Sequence, residues 1–131
     1  MAYLVRRAKT RPKLDDEWPD ADVGRIAHFH VASSDHRPVT TFRMLYDDDG
    51  IYIAFHVRDR YVLCRRNEHQ SMVCKDSCVE AFLQPRPDHG YFNFELNCGG
   101  AMLLYYVRDP QRLPTGGMKE WVRVPAELLD R

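Results

Sequence analysis

Residues 90–107 read GYFNFELNCGGAMLLYYV, and this stretch decides the fold. Its first half alternates aromatic or aliphatic residues with polar ones, which is the pattern of a strand that buries one face. The Gly99-Gly100 pair then reverses the chain into a second, more apolar run. The stretch therefore predicts two antiparallel strands, Tyr91–Asn97 and Ala101–Val107.

Strand signals continue on both sides of this stretch, whereas helix signals are poor. Eight prolines and seven glycines interrupt the chain, and no long segment shows a 3.6-residue period. An Asp-Asp-Asp-Gly turn at 47–50 joins two runs rich in β-branched and aromatic residues, which predicts a hairpin. The further strands that we predict are Tyr3–Arg6, Ile26–His30, Val39–Tyr46, Ile51–Val57, Cys78–Leu83 and Trp121–Val124, followed by one helical turn at Ala126–Leu129. Many short strands with regular turns indicate an all-β fold, an antiparallel β-sandwich or barrel.

Composition and charge narrow the class of protein. A chain of 131 residues suits one domain, so we expect a single domain over 1–131. The formal net charge is zero, which gives no basic patch for nucleic acid. No apolar run reaches the roughly 20 residues of a membrane helix, and no signal peptide is visible. We therefore expect no nucleic acid, no membrane partner and a monomer.

The four cysteines do not predict a metal site. Cys64, Cys74, Cys78 and Cys98 lack the two tight pairs that zinc sites usually show. We expect free, partly buried thiols, or a disulfide between Cys64 and either Cys74 or Cys78 if the domain is exported.

One strand carries an unusual polar face. In 91–97 the aromatic and aliphatic side chains share one side, and Tyr91, Asn93, Glu95 and Asn97 share the other. Asparagine is a poor strand former, so this row suggests a concave binding surface rather than a solvated face. Sugars need planar hydrogen-bonding groups together with an aromatic platform. The ligand-binding residues that we predict are Glu80, Asn93, Glu95, Asn97, Tyr91 and Arg43, with Trp18 and Tyr52 as further platforms.

The order of several motifs resembles the family 9 carbohydrate-binding modules, in their bacterial family 9-like branch. The motifs are Trp18 with Ala21, Thr41–Asp47, Ile51–Asp59, Lys75–Phe82 and Gly90–Asn97. The resemblance runs from Trp18 to Gly100 and then thinly to Trp121 and Pro125. It implies a β-sandwich of jelly-roll type, with the C-terminal strands of that fold either shortened or missing here.

The resemblance also implies a function. Modules of this kind bind carbohydrate without catalysis, support polysaccharide degradation and lie outside the cytoplasm, in an extracellular or periplasmic location. A carboxylate matching Glu80 contacts sugar hydroxyls in the better-known branch, whereas a basic residue replaces Glu95. The tryptophan wall of that branch is replaced here by Val73 and Cys74. No cofactor is expected, although structural calcium occurs in the family.

Several alternatives stay open at this point. Glu80 and Glu95 on neighbouring strands could serve a small glycoside hydrolase, which needs two carboxylates. They could instead pair with Arg43 or Arg58 in a structural or interaction sandwich that has no small ligand. The Asp47–Asp49 run could hold calcium or form a solvated turn. Trp18 and Trp121 are both expected to pack into the core.

Overall fold

The computed structural model describes residues 2–129, and this range is all-β. Its strands are β1 (Arg6–Arg7), β2 (Gly24–Ile26), β3 (Val39–Tyr46), β4 (Ile51–Arg58), β5 (Cys78–Leu83), β6 (Tyr91–Asn97), β7 (Met102–Arg112) and β8 (Met118–Arg123). Two 3₁₀ helices of one turn each, Val73–Lys75 and Ala126–Leu128, lie in the same range. None of its helices is long and apolar enough to cross a membrane.

The chain divides into two compact units, Met1–Arg60 and Tyr61–Arg131, and each contains one four-stranded sheet. All strand pairs are antiparallel except the short pair of β1 with β3. The predicted fold class, all-β with the antiparallel sheets of a β-sandwich, is confirmed. The expectation of one domain over 1–131 stays a prediction.

The first unit is built around β3. This strand pairs with β4 along its whole length, and also with β1 and β2. The Asp47–Gly50 turn joins β3 to β4, as the sequence predicts. Trp18 is buried with Ala21 and Leu45, and its indole Nε1 donates to the Lys13 carbonyl oxygen at 2.8 Å. The expectation that Trp18 packs into a core is therefore confirmed.

The second unit is a meander in the order β5-β6-β7-β8, in which each strand pairs with the next along the chain. The predicted bounds of β5 and β6 match those observed. β7 begins at Met102 and runs on to Arg112, five residues beyond the prediction, because β8 continues to pair with it across two irregularities in register. β8 itself is Met118–Arg123 rather than Trp121–Val124.

The 3₁₀ helix Val73–Lys75 provides much of the second unit's core. Val73 is fully buried and packs with Ala101 and Leu103, and Cys78 and Tyr105 pack around this cluster. The helix therefore packs on the face of the sheet that carries Cys78, Leu103 and Tyr105.

Candidate functional site

The register of the second sheet collects the polar row of β6 and the side chains opposite it on one face. Directly opposed residues in an antiparallel pair point to the same side, so β5–β6 pairing sets Glu80 beside Glu95. β6–β7 pairing sets Tyr105 beside Asn93, and β7–β8 pairing adds Trp121 next to Val107. We name this side the Glu95 face. It consists of Cys78, Glu80, Phe82, Tyr91, Asn93, Glu95, Asn97, Leu103, Tyr105, Val107, Trp121 and Arg123.

The polar row of β6 is not an open surface. Asn93 is 1 % exposed, Glu95 is 5 % exposed and Asn97 is 3 % exposed, whereas Leu96 on the opposite face is 40 % exposed. The row therefore lies beneath neighbouring groups, and the expectation of a concave binding surface stays a prediction. Alternation along one strand shows which side chains share a face but not what neighbouring strands and loops lay over them.

A hydrogen-bonded triad lies at the centre of the Glu95 face. The Asn93 side-chain amide donates to Glu95 Oε1 at 3.0 Å and to the Tyr105 hydroxyl at 2.6 Å. The Tyr105 hydroxyl in turn donates to Glu95 Oε1 at 2.8 Å. Both amide hydrogens of Asn93 and the hydroxyl hydrogen of Tyr105 are therefore used within the triad.

Two acceptor atoms of this triad have no partner. Asn93 Oδ1 and Glu95 Oε2 are buried and accept no hydrogen bond. A buried polar atom without a partner costs about 1–3 kcal/mol, so such atoms in native proteins usually indicate a bound water or ligand. Among the residues that the structure describes, no other side-chain nitrogen or oxygen atom on the Glu95 face is buried without a hydrogen-bond partner.

Glu80 adds a second carboxylate to the face. Burial beside the sheet, followed by the negative charge of Glu95, raises the pKa of Glu80, and these effects outweigh the opposing effect of the nearby Asn93 amide. Within residues 61–129, no arginine or lysine forms an ion pair with either glutamate. The alternative in which Arg43 or Arg58 pairs with these carboxylates stays open, because both arginines belong to the first unit.

The negative charges of the two glutamates and partial burial disfavour further negative charge nearby. Desolvation, followed by the charges of Glu80 and Glu95, raises the pKa of the Cys78 thiol to about 12. Desolvation also raises the pKa of Tyr105 to about 12, with a further contribution from its bond to Glu95. Burial and the charge of Glu95 raise the pKa of Cys74. All three groups therefore keep their protons at neutral pH.

Exposed aromatic rings flank the polar centre. Trp121 is 45 % exposed and packs edge-on against Tyr105, with ring centroids 5.7 Å apart. Phe82 is 58 % exposed and lies 5.8 Å from the ring of Tyr91. The expectation that Trp121 is a core residue is wrong, because β8 is the last strand of the sheet and its side chains have no further strand beside them.

Asn97, at the end of β6, uses its amide within the protein. Its nitrogen donates to the Arg66 carbonyl oxygen at 2.7 Å and to Asp76 Oδ2 at 3.0 Å. Its oxygen accepts from the backbone N–H groups of Gly99 and Ala101 at 3.1 and 2.9 Å. Asn97 thus stabilises the β6–β7 turn, and its predicted contact with a ligand stays a prediction.

Arg43 and the platforms Trp18 and Tyr52 lie in the first unit. Arg43 lines a cleft of about 430 Å³ together with Trp18, Ala54 and His56. Trp18 is buried, and the Tyr52 hydroxyl donates to Asp47 at 2.8 Å. The structure therefore places four of the six predicted residues around the centre of the Glu95 face, Asn97 at its end and Arg43 in a different unit.

The Asp47–Asp49 run forms the hairpin turn. Asp47 Oδ1 accepts from the backbone N–H groups of Asp49 and Gly50 at 2.8 and 3.1 Å. Asp48 forms an ion pair with Arg7. In the described residues 2–129, no group of three or more His, Cys, Asp or Glu side chains could hold a metal ion. Structural calcium stays an untested expectation.

The cysteines are free thiols. Cys98 donates to the Leu63 carbonyl oxygen at 3.5 Å, and desolvation followed by the nearby Cys98 raises the pKa of the Cys64 thiol. The structure therefore brings Cys64 to Cys98 rather than to Cys74 or Cys78.

Sequence reasoning missed Tyr105, Phe82 and Trp121 as members of the site. Counting outward from the Gly99-Gly100 turn would have paired Tyr105 with Asn93, so a signal for that residue exists. Phe82 could have been found in the same way from the pairing of β5 with β6. Trp121 could not be found by counting back from the β7–β8 turn. Two irregularities in register lie between that turn and the pair of Val107 with Trp121.

Comparison with known proteins gives one family. The model of carbohydrate-binding family 9 matches residues 14–118, which is most of the chain and includes strands of both units. Searches of the curated proteins and of the solved structures each returned no significant match. The chain therefore belongs to carbohydrate-binding family 9, and its expected role as a non-catalytic carbohydrate-binding module is confirmed.

Proposed function

We propose that this module holds its carbohydrate on the Glu95 face of the second unit and thereby supports polysaccharide degradation. The observation that carries the proposal is the pair of buried acceptors, Asn93 Oδ1 and Glu95 Oε2, that have no hydrogen-bond partner. Sugar hydroxyls are donors, and two of them would satisfy both atoms. The hydrogen bonds from the sugar would then offset the desolvation cost of these two atoms, and this offset would exist only when the sugar is bound.

The aromatic rings supply the second requirement of a sugar site. A pyranose ring presents an apolar C–H surface, which packs against an aromatic ring. Trp121 and Phe82 are exposed on the same face as the polar centre. Their positions on β8 and β5 place one ring on each side of β6 and β7, so a sugar chain lying across the strands would contact both.

The roles of the individual residues follow from these contacts. Glu80 is exposed beside the buried centre, so it is the carboxylate that a sugar arriving from solvent can contact with its hydroxyl groups. Asn93 and Glu95 form the buried base of the proposed site, and Tyr105 orients both side chains through its hydrogen bonds. Tyr91 supports Phe82 from the neighbouring strand.

The test is a glycan array followed by isothermal titration calorimetry of the glycans that bind. Glu80→Ala should lower the affinity by about tenfold or more, as expected when a central hydrogen-bonding group is removed. Glu120→Ala is the matched control. Glu120 is a charged side chain of the same unit that points to the opposite side of β8 from Trp121 and pairs with Arg108 at 3.0 Å.

Three outcomes would contradict the proposal. A folded chain that binds no glycan would contradict binding at any site. Equal affinities of the wild type and Glu80→Ala would exclude the Glu95 face. Loss of affinity in Arg43→Ala but not in Glu80→Ala would place the ligand in the cleft of the first unit.

A further inference from the structure

The hydrogen-bonding groups at the centre of the Glu95 face are all acceptors. The donors of Asn93 and Tyr105 are consumed inside the triad. The acceptors left without a partner in the triad are Asn93 Oδ1 and Glu95 Oε2, which are both buried, and the carboxylate of Glu80 lies exposed beside them. A ligand group that only accepts hydrogen bonds, such as a carbonyl or a carboxylate, would find no donor at this centre.

Within the second unit, the charge at the centre is also unbalanced. Glu80 and Glu95 face each other across β5 and β6, and no cation in residues 61–129 forms an ion pair with either of them. Arg123 lies on the same face, but its guanidinium contacts the Met72 sulfur at 3.8 Å. Because like charges facing each other are unfavourable, a positive ligand group would gain more here than a neutral one.

The exposed rings favour the same kind of ligand. Aromatic faces carry partial negative charge and attract ammonium groups as well as C–H groups. Trp121 and Phe82 therefore add to the negative potential of the two carboxylates rather than opposing it.

From these three observations we infer that the Glu95 face selects sugars that carry a protonated amine, so that its ligand is a glycan of 2-amino-2-deoxy sugar units. The ammonium group would supply three donors and one positive charge to a centre that offers acceptors and negative charge. This inference depends on the proposed carbohydrate site, because it assigns the chemical class of the ligand at that site.

The experiment compares three β-1,4-linked glucan hexamers that differ only at carbon 2. Cellohexaose carries a hydroxyl group there, the chitin hexamer an acetamide and the chitosan hexamer an amine. Calorimetric titration at about pH 6, where most of the amines are protonated, should give roughly tenfold tighter binding for the chitosan hexamer than for either of the other two. Glu80→Gln should reduce this ratio by about fivefold or more, and Glu120→Gln should leave it unchanged.

The contrary outcomes separate the inference from the proposed function. Binding of the neutral hexamers as tightly as the amine would overturn the inference and leave the carbohydrate site intact. Glu120→Gln could also lower the amine preference as much as Glu80→Gln does. That result would overturn the inference, because the attraction of the amine would then come from the overall negative charge and not from the Glu95 face. If no hexamer and no glycan on the array binds, the proposed carbohydrate site is contradicted as well.

Discussion

Asn93 and Asn97 show that the same residue on the same strand face can differ in how fully its polar atoms are hydrogen-bonded. Both are buried on the Glu95 face, but all polar atoms of the Asn97 amide are bonded to the protein. The oxygen of Asn93 has no partner. A polar group that is buried and satisfied stabilises the fold, whereas one that is buried and unsatisfied is tolerated where function uses it.

Glu80 carries a stability cost whose pH dependence can be measured. The folded state raises the pKa of this carboxyl above its ordinary value of 4.5, so it binds the proton more tightly than the unfolded chain does. The free energy of unfolding should therefore fall as pH rises from the ordinary value through the raised one. Below the ordinary value the carboxyl is protonated in both states, and the cost disappears.

Glu80→Gln should accordingly melt above the wild type near neutral pH. We expect a difference of about 1–2 °C, because solvent screens an exposed carboxylate, and the difference should vanish near pH 4. Differential scanning calorimetry across this range measures it. A glutamine variant that melts below the wild type at neutral pH would show that the charge stabilises the fold.

These residues also mark how far the sequence could predict the site. The alternation in 91–97 predicts which side chains share a face, because that period is a property of the extended backbone. It could not predict that Asn97 is bonded to Asp76 and Arg66, since those residues come from a distant loop. The burial of Asn93 and Glu95 likewise depends on groups outside their own strand.

At the scale of elements, the strand cores could be predicted and the ends of the last two strands could not. β3, β5 and β6 have the predicted bounds because turn residues border each of them. β7 and β8 differ because their lengths depend on the irregular register of their pairing. Trp121, which the sequence predicted as a core residue, is exposed because β8 is the last strand of the sheet.

The start of β6 depends on a close approach of two backbones. A methyl group at Gly90 would lie 2.0 Å from the Val107 carbonyl oxygen, a backbone atom that cannot move without shifting β7. Gly90→Ala should therefore lower the free energy of unfolding by about 1–3 kcal/mol. Gly50→Ala is the control, because a methyl group there meets no atom within 4 Å.

Chemical denaturation of both variants measures whether the close approach of Gly90 to β7 stabilises the fold. The expected result is a clear loss of stability in Gly90→Ala with little change in Gly50→Ala. Equal stabilities of the two variants would contradict the close packing of the Gly90 backbone against β7.

At the scale of the whole molecule, the family match includes strands of both units, and each unit offers a candidate surface. The first unit has the cleft beside Arg43, and the second has the Glu95 face. Among residues 2–129, which the structure describes, the second surface alone combines unsatisfied buried acceptors with exposed aromatic rings. Membership of the family establishes that the module binds carbohydrate, and this combination is what favours one surface over the other.

The chain contains two tryptophans, one in each unit, and they can report which surface binds. The Trp18 indole is buried and donates to Lys13, whereas the Trp121 indole is partly exposed on the Glu95 face. Two-dimensional ¹H–¹⁵N NMR resolves one indole signal for each, and a Trp121→Phe variant assigns them. During titration with a glycan that binds, the account predicts that the Trp121 signal moves and that the Trp18 signal stays in place. Movement of Trp18 with a stationary Trp121 would contradict the account and assign the ligand to the cleft of the first unit.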